Sequence, residues 1–257
     1  MSKSFFFNFL ILLFFVSCSS NDDTTPSIEN NYEEAPTGKL IRIVRVNSTS
    51  IPNSPQNSTT IFNYEDGRVI SSTTAFTGGT SETLNYFYNS NDQIWKVTSS
   101  SSIEEFTFSN GIVVSSELVN NGTTTTSNYI YDSNGNLSNR KYYDSENNLT
   151  VDVDYTYDIN NNMTYSISQF PSGNSVTYNY EYDQKIDPIF DTFENQKAIL
   201  IKQLSNSNAT NCIYNHSNGT TNTATIEHTY NENNLPISSI RYINGNYSSG
   251  HTYTYQD

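Results

Sequence analysis

Apolar and polar side chains alternate with a two-residue period through most of the chain. The cleanest run is Leu149, Val151, Val153, Tyr155 and Tyr157, with Thr150, Asp152, Asp154 and Thr156 between them. Successive side chains on a strand point to opposite faces, so this run predicts a strand with one apolar and one wet face. Phe62 and Tyr64 share a face by the same rule. So do Tyr86 and Tyr88, Phe106 and Phe108, Tyr178, Tyr180 and Tyr182, and Tyr253 and Tyr255. The first strand is expected over Lys39 to Val46. It places Leu40, Val44 and Val46 on one face beside Arg42, and Ile41, Ile43 and Arg45 on the other.

The strands are punctuated by one recurring phrase: aromatic, any residue, aromatic, Asp or Asn, a short polar turn, then an aliphatic residue. Tyr129-Ile130-Tyr131-Asp132 is followed by Leu137, and Tyr155-Thr156-Tyr157-Asp158 by Met163. Asp and Asn side chains accept hydrogen bonds from backbone two residues on, and Asn and Gly tolerate positive φ. Asp66-Gly67 and Asn110-Gly111 are shorter turns of the same kind. The last aromatics before the turns are Tyr64, Tyr88, Phe108, Tyr131, Tyr157, Tyr182, Tyr230 and Tyr255. Their spacings are 24, 20, 23, 26, 25, 48 and 25 residues, which reads the long gap as two units. A period near 24 fits two strands and two turns. The expected fold is all-β: a long curved antiparallel sheet of repeated hairpins, partly closed on itself. One stretch breaks the pattern. Asp187-Pro188 has the form of a helix cap and first turn, predicting a short helical or irregular insertion near 187–197.

The N-terminus carries different information. Phe5 to Val16 is apolar except for Asn8, follows Lys3, and is too short for a bilayer span of roughly 20 residues. It reads as the core of a signal peptide. Phe15-Val16-Ser17-Cys18 resembles the processing site of bacterial lipoproteins, with Phe15 in place of the usual Leu. That resemblance implies removal of residues 1–17 and lipidation of Cys18. Ser19-Ser20-Asn21-Asp22-Asp23 resembles the surface-export signal of Bacteroidetes lipoproteins, which implies a lipid-anchored protein on the cell-surface side of the outer membrane. Residues 18–38 are then an acidic flexible tether, and 39–257 a single repetitive β domain.

The formal net charge of −14 is dispersed rather than blocked. It argues against nucleic acid, whose binding draws on basic patches. A lipidated Cys18 leaves Cys212 without a partner, so Cys212 is expected to be a small buried residue and no disulfide forms. Asp132-x-Asn134-x-Asn136, Asp144-x-Glu146-x-Asn148 and Asp158-x-Asn160-x-Asn162 open like calcium loops. They lack the Gly at position six and the Glu at position twelve, so hairpin turns account for them and no metal is predicted. His216, His228 and His251 form no close ligand pair, and no nucleophile elbow, phosphate loop or paired-carboxylate motif is present. Neither a catalytic set nor a cofactor is expected. The candidate ligand contacts are Trp95, Tyr86 and Tyr88, which stand close in sequence as an aromatic platform; packing is the competing use of the tyrosines.

The Tyr-Asp phrases from residue 60 to 257 resemble the repeats of RHS-type bacterial surface proteins and of uncharacterised Bacteroidetes lipoproteins. The resemblance implies a non-enzymatic surface scaffold that presents a sheet to an unspecified protein or glycan partner, with the membrane engaged through the N-terminal lipid. The alternatives are a carbohydrate-binding lipoprotein, and an enzyme or inhibitor acting through loop residues.

Overall fold

The computed structural model describes residues 38–47, 56–193, 196 and 205–257. The signal peptide, Cys18 and the tether lie outside them. Strands follow one another as β1 (Leu40–Asn47), β2 (Ser58–Glu65), β3 (Arg68–Phe76), β4 (Ser81–Tyr88), β5 (Ile94–Thr98), β6 (Ser102–Ser109), β7 (Ile112–Asn120) and β8 (Thr123–Tyr131). They continue as β9 (Leu137–Tyr143), β10 (Leu149–Tyr157), β11 (Met163–Gln169), β12 (Ser175–Ile186), β13 (Ser207–His216), β14 (Thr221–Tyr230), β15 (Pro236–Ile243) and β16 (Asn246–Tyr255). A helix, α1 (Pro188–Thr192), lies between β12 and β13. Each strand pairs antiparallel with its sequence neighbours, and β16 returns to β1, so the sheet is a closed sixteen-strand barrel. Closure leaves no unpaired sheet edge.

The repeated phrase is the structural unit of this closure. At the end of each such hairpin the last aromatic lies opposite the aliphatic residue that follows the turn: Tyr64 opposite Val69, Tyr88 opposite Ile94, Tyr131 opposite Leu137 and Tyr157 opposite Met163. The register then slips by one residue. Phe87 faces Lys96, for example, so Trp95 is an extra residue without a partner. Bulges bend and twist a strand locally. Repeated hairpin after hairpin at one end of the barrel, they supply the curvature that wraps a flat meander into a cylinder.

At five of the units a tyrosine hydroxyl donates to a backbone carbonyl of the preceding unit. Tyr64 Oη donates to Leu40 O at 2.8 Å, Tyr88 to Val69 at 2.6 Å and Tyr131 to Val113 at 2.8 Å. Tyr182 donates to Met163 at 2.7 Å and Tyr255 to Pro236 at 2.8 Å. In every case the acceptor residue is the one paired with the previous unit's aromatic. Burial pushes Tyr64 and Tyr182 up to about 12, so these hydroxyls remain donors at neutral pH.

One step further into the barrel, a large side chain lies opposite a smaller one in successive hairpins: Phe62 opposite Ser72, Tyr86 opposite Val97 and Phe106 opposite Ser116. This is how neighbouring strands share a narrow interior. The serines also bond the rings beside them, Ser72 to Tyr86 and Ser116 to Tyr129, both at 2.8 Å.

Two details differ from the sequence reading. Tyr182 sits on β12 and Tyr230 on β14, so the 48-residue gap is one unit plus the insertion rather than two units. On β1 a bulge between Leu40 and Arg42 moves Leu40 to the face of Ile43 and Arg45, where it is 1% exposed. Strict alternation cannot survive a bulge, and the sequence gives no warning of one at this position.

The insertion forms a plug. Asp187 caps α1 by accepting from the N–H groups of Ile189 and Phe190, and Pro188 begins the first turn. Phe193 enters the barrel and meets Tyr86 and Phe62 edge-on, with centroids 5.3 and 6.2 Å away. Gln196 bridges to β5 through Ile94 N–H and Asp92 O, and Lys39 Nζ reaches Asp191 at 3.1 Å. Asn162 Oδ1 accepts from the N–H groups of Asn206 and Ser207, fixing the return.

Candidate functional site

The aromatic platform does not assemble. Trp95, as the bulged residue of β5, is 37% exposed on the outer face with Lys96 Nζ 5.5 Å from its ring. Tyr86 is buried inside against Phe193, and Tyr88 points inward to Val69 with Arg68 over its ring at 4.9 Å. Three residues close in sequence are thus divided between the two sides of the wall. Adjacent strands show the same division, because period two sends neighbours in opposite directions.

The calcium-like phrases are turns. Asp132 Oδ1 accepts from the N–H groups of Asn134 and Asn136, Asp144 from Glu146 and Asn148, and Asp158 from Asn160 and Asn162. Asn89 and Asn231 do the same for Asn91 and Gln93 and for Asn233 and Leu235. The fourth position takes positive φ in each: Gly135, Asn147, Asn161, Asp92 and Asn234. The bonds to backbone pull Asp144 below its ordinary value. Among the described residues no group of acids, histidines and cysteines is arranged to hold a metal ion.

The outer wall is polar at mid-strand. Lys96, Glu105 and Glu117 stand in register across β5, β6 and β7, and Asn128, Lys141, Asp152 and Gln169 across β8 to β11. Glu181 and Glu227 occupy corresponding places on β12 and β14. Isolated apolar residues, including Phe87, Ile103 and Ile130, are set among these charges rather than gathered into a belt.

The inner wall has two unlike halves. From β2 to β10 it carries much of the buried core, with Phe62, Tyr86, Phe106, Tyr129 and Val153 buried. Arg140 is the cation of this half. Its guanidinium lies 4.9 Å from the Tyr129 ring and 4.3 Å from that of Tyr142, with Glu104 within electrostatic reach. From β12 round to β1 the inward side chains are half-buried tyrosines, histidines and arginines. Tyr178, Tyr180 and Tyr182 lie ring beside ring along β12, and Tyr214 stacks on Tyr178 at 5.9 Å. Cys212 is buried among them, as expected.

On this second half Arg45 lies opposite His251, His251 opposite Ser239, and Ser239 opposite His228. Arg241 lies opposite Ser249. Burial and the two guanidinium groups pull His251 down to about 4, so it is neutral at pH 7. Burial followed by Arg241 lowers Arg45 as well. Asp187, at the plugged end, is pushed up to about 6 by burial. Arg45 and His251 are 206 positions apart in sequence. Only the meeting of the first and last strands brings them together.

No protein-family model and no curated protein matches the chain. Among solved structures, a porin-like protein from Bacteroides uniformis is similar over 87% of this chain and all of that one, with a TM-score of 0.59 and 17% identity. A porin-like protein from Bacteroides vulgatus covers 85% of this chain and 99% of its own at 11% identity, with a TM-score of 0.48. The first of these likenesses shows a shared barrel fold.

Proposed function

We propose that the chain is a non-enzymatic surface protein of the bacterial outer membrane, anchored by lipid on Cys18 and standing outside the bilayer as a plugged barrel. The polar outer wall is the observation that carries this reading. A spanning barrel needs an apolar outer band about 25 Å tall, and charges at mid-bilayer cost about 2–4 kcal/mol each. Here Glu105, Glu117, Lys141 and Asp152 occupy that latitude. The lipoprotein-like Phe15-Val16-Ser17-Cys18 and the origin of the similar folds in Bacteroides support an outer-membrane address.

The polarity of the barrel gives the display a direction. Lys39 enters β1 at the plugged end, beside Gln256 and α1. An anchor reaching back from Lys39 turns that end toward the membrane and the opposite end, with the turns at 77–80, 144–148 and 217–220, toward the medium. A glycan ligand is the second reading, favoured by the half-buried tyrosine wall of β12 and β13.

Two measurements test the proposal. Cys18→Ser should abolish acyl labelling and yield a barrel that purifies without detergent. Surface protease should remove the barrel from intact cells carrying the unaltered chain. A variant that stays in the membrane fraction and opens conducting channels in planar bilayers would establish a spanning pore instead.

A further inference from the structure

The two interior arginine environments differ in a way that points to a ligand. Arg140 also has a buried Nε with no hydrogen-bond partner among the described residues, but its charge is compensated within the fold: rings on two sides, the Ser127 hydroxyl at 3.3 Å, and Glu104 within electrostatic reach. Arg45 and Arg241 are not. Among the described residues neither forms an ion pair with a carboxylate, although the chain holds 26 acidic against 12 basic residues. Arg45 Nε finds only the neutral Asn47 Oδ1, at 2.9 Å. Among the described residues Arg241 Nε and Ser249 Oγ are buried with no hydrogen-bond partner, the second on a residue 1% exposed. Unpaired donors of this kind cost free energy in the folded chain. The guanidinium group of Arg241, close enough to lower Arg45 after burial has done so, adds to that cost.

Register places these groups on one patch. Arg45, His251 and Ser239 are successive partners across β1, β16 and β15, and Arg241 and Ser249 are partners two residues along. Directly opposed residues have Cβ atoms about 5 Å apart. Arg45 and Arg241 stand on either side of β16, two residues out of step and within electrostatic reach of each other, so that one small anion between them is within range of both long side chains. Beside them the wall continues through Cys212, within electrostatic reach of Arg241, into the rings of Tyr214, Tyr178 and Tyr180. An arginine fork matches the oxygens of a carboxylate or sulfate, and an aromatic wall suits the face of a sugar ring.

We propose that this half of the barrel interior binds an acidic saccharide. Its anionic group is held by Arg45 and Arg241, with the Ser249 hydroxyl donating a further hydrogen bond, and its ring rests on the tyrosines of β12 and β13. The site deepens the glycan reading of the surface barrel but does not depend on lipid anchoring.

Calorimetric titration of the mature chain carrying Cys18→Ser tests it. The probes are an oligogalacturonate, a sulfated disaccharide, their neutral counterparts, and inorganic sulfate alone. One of the two acidic saccharides should bind, and which one does distinguishes carboxylate from sulfate recognition. Its affinity should fall at least tenfold in Arg241→Gln and in Arg45→Gln and should weaken as salt is raised, while the neutral counterpart binds at least tenfold more weakly. Thermal melts check that the variants fold; should either glutamine variant unfold, Arg241→Lys, which keeps the charge but loses the fork, should still weaken binding severalfold. Equal affinity for neutral and acidic sugars, binding unchanged in folded arginine variants, or no binding of either acidic saccharide at millimolar concentration would overturn the proposal. Inorganic sulfate binding as tightly as the saccharides would overturn the sugar assignment. Any of these failures leaves the surface-barrel reading standing, since protease access and acyl labelling decide that separately.

Discussion

The tyrosine hydroxyls at the bulged end make a repeated prediction with built-in controls. In Tyr131→Phe the ring still fills its place, but Val113 O loses the donor 2.8 Å away. A hydrogen bond contributes a net 0.5–1.5 kcal/mol, and a buried carbonyl left without a partner pushes the cost to about 1–2 kcal/mol. With a urea m-value of roughly 2–3 kcal/mol/M, the unfolding midpoint of the Cys18→Ser chain should drop by about 0.5 M. Tyr88→Phe, which strands Val69 O, should fall in the same range. Tyr157 stands at the equivalent place, yet its hydroxyl is buried without a partner among the described residues. Tyr157→Phe should therefore be neutral or slightly stabilising. Phe108 is the unit that lacks the hydroxyl altogether, and Phe108→Tyr aimed at Ile94 O should gain about 0.5–1 kcal/mol. Equal destabilisation by Tyr131→Phe and Tyr157→Phe would show that the rings matter and the carbonyl bonds do not.

Other parts of the molecule give independent expectations. Phe193→Ala empties the contact with Tyr86 and Phe62 and should cost about 3–5 kcal/mol in the same urea assay, and a loss below about 1 kcal/mol would mean the plug is not packed as described. Asp158→Ala removes the acceptor of two backbone N–H groups and should cost about 1 kcal/mol, whereas Asp158→Asn should be nearly silent because Asn89 and Asn231 already serve in that position; a large loss in the asparagine variant would point to a role for the charge. Asp187 and His251 tilt stability in opposite directions with pH. Folded Asp187 titrates near 6, above its unfolded value, so it opposes folding above that pH by up to about 3 kcal/mol and the penalty fades as pH falls toward 4. Folded His251 titrates near 4, below its unfolded value, so its share of stability is full above about pH 6.5 and is lost as pH falls toward 4. Melting temperatures between pH 4 and 8 should thus fall more steeply with acid in Asp187→Asn and less steeply in His251→Gln; profiles parallel to that of the unaltered chain would contradict both assignments.

The local structure was legible because each hairpin carries its own instructions. Period-two alternation identified the strands, the Asp and Asn positions identified the turns, and Asp187-Pro188 marked the start of α1. Full closure was less accessible. It depends on bulges that leave only an indirect trace: an extra residue between the aliphatic position and the next paired one, as at Trp95 and Ser138. The same slip explains Leu40, whose face is set by a bulge and not by its parity. The cationic patch left still less sign. Arg45 interrupts an apolar strand near the beginning of the chain and Arg241 lies near its end, and a reading by neighbourhood gives them nothing in common. Their proximity is a consequence of the β1–β16 pairing, a contact between the two ends of the domain.

Barrel shape and barrel use separate at this point. A sixteen-strand barrel can be turned either way with respect to water, because alternation fixes only that two faces differ and not which faces the solvent. Here Phe62, Tyr86, Phe106 and Val153 are inside while Glu105, Glu117 and Asp152 are outside. Phe193 fills interior space beside Tyr86 and Phe62, and the outer charges support the proposal that the barrel stands outside the bilayer. The arginine patch differs from Arg140 in having no carboxylate or ring against its guanidinium groups among the described residues, and it lies on the half where tyrosines and histidines are only partly buried. This uneven interior supports the proposal that the barrel holds an anionic ligand. Replacing Arg45 and Arg241 together by Met should therefore raise stability, since it relieves mutual repulsion and unsatisfied donors, while abolishing acidic-saccharide binding. Calorimetric binding and urea unfolding on the same double variant measure both effects; loss of stability by more than about 1 kcal/mol would show instead that the arginines serve the fold.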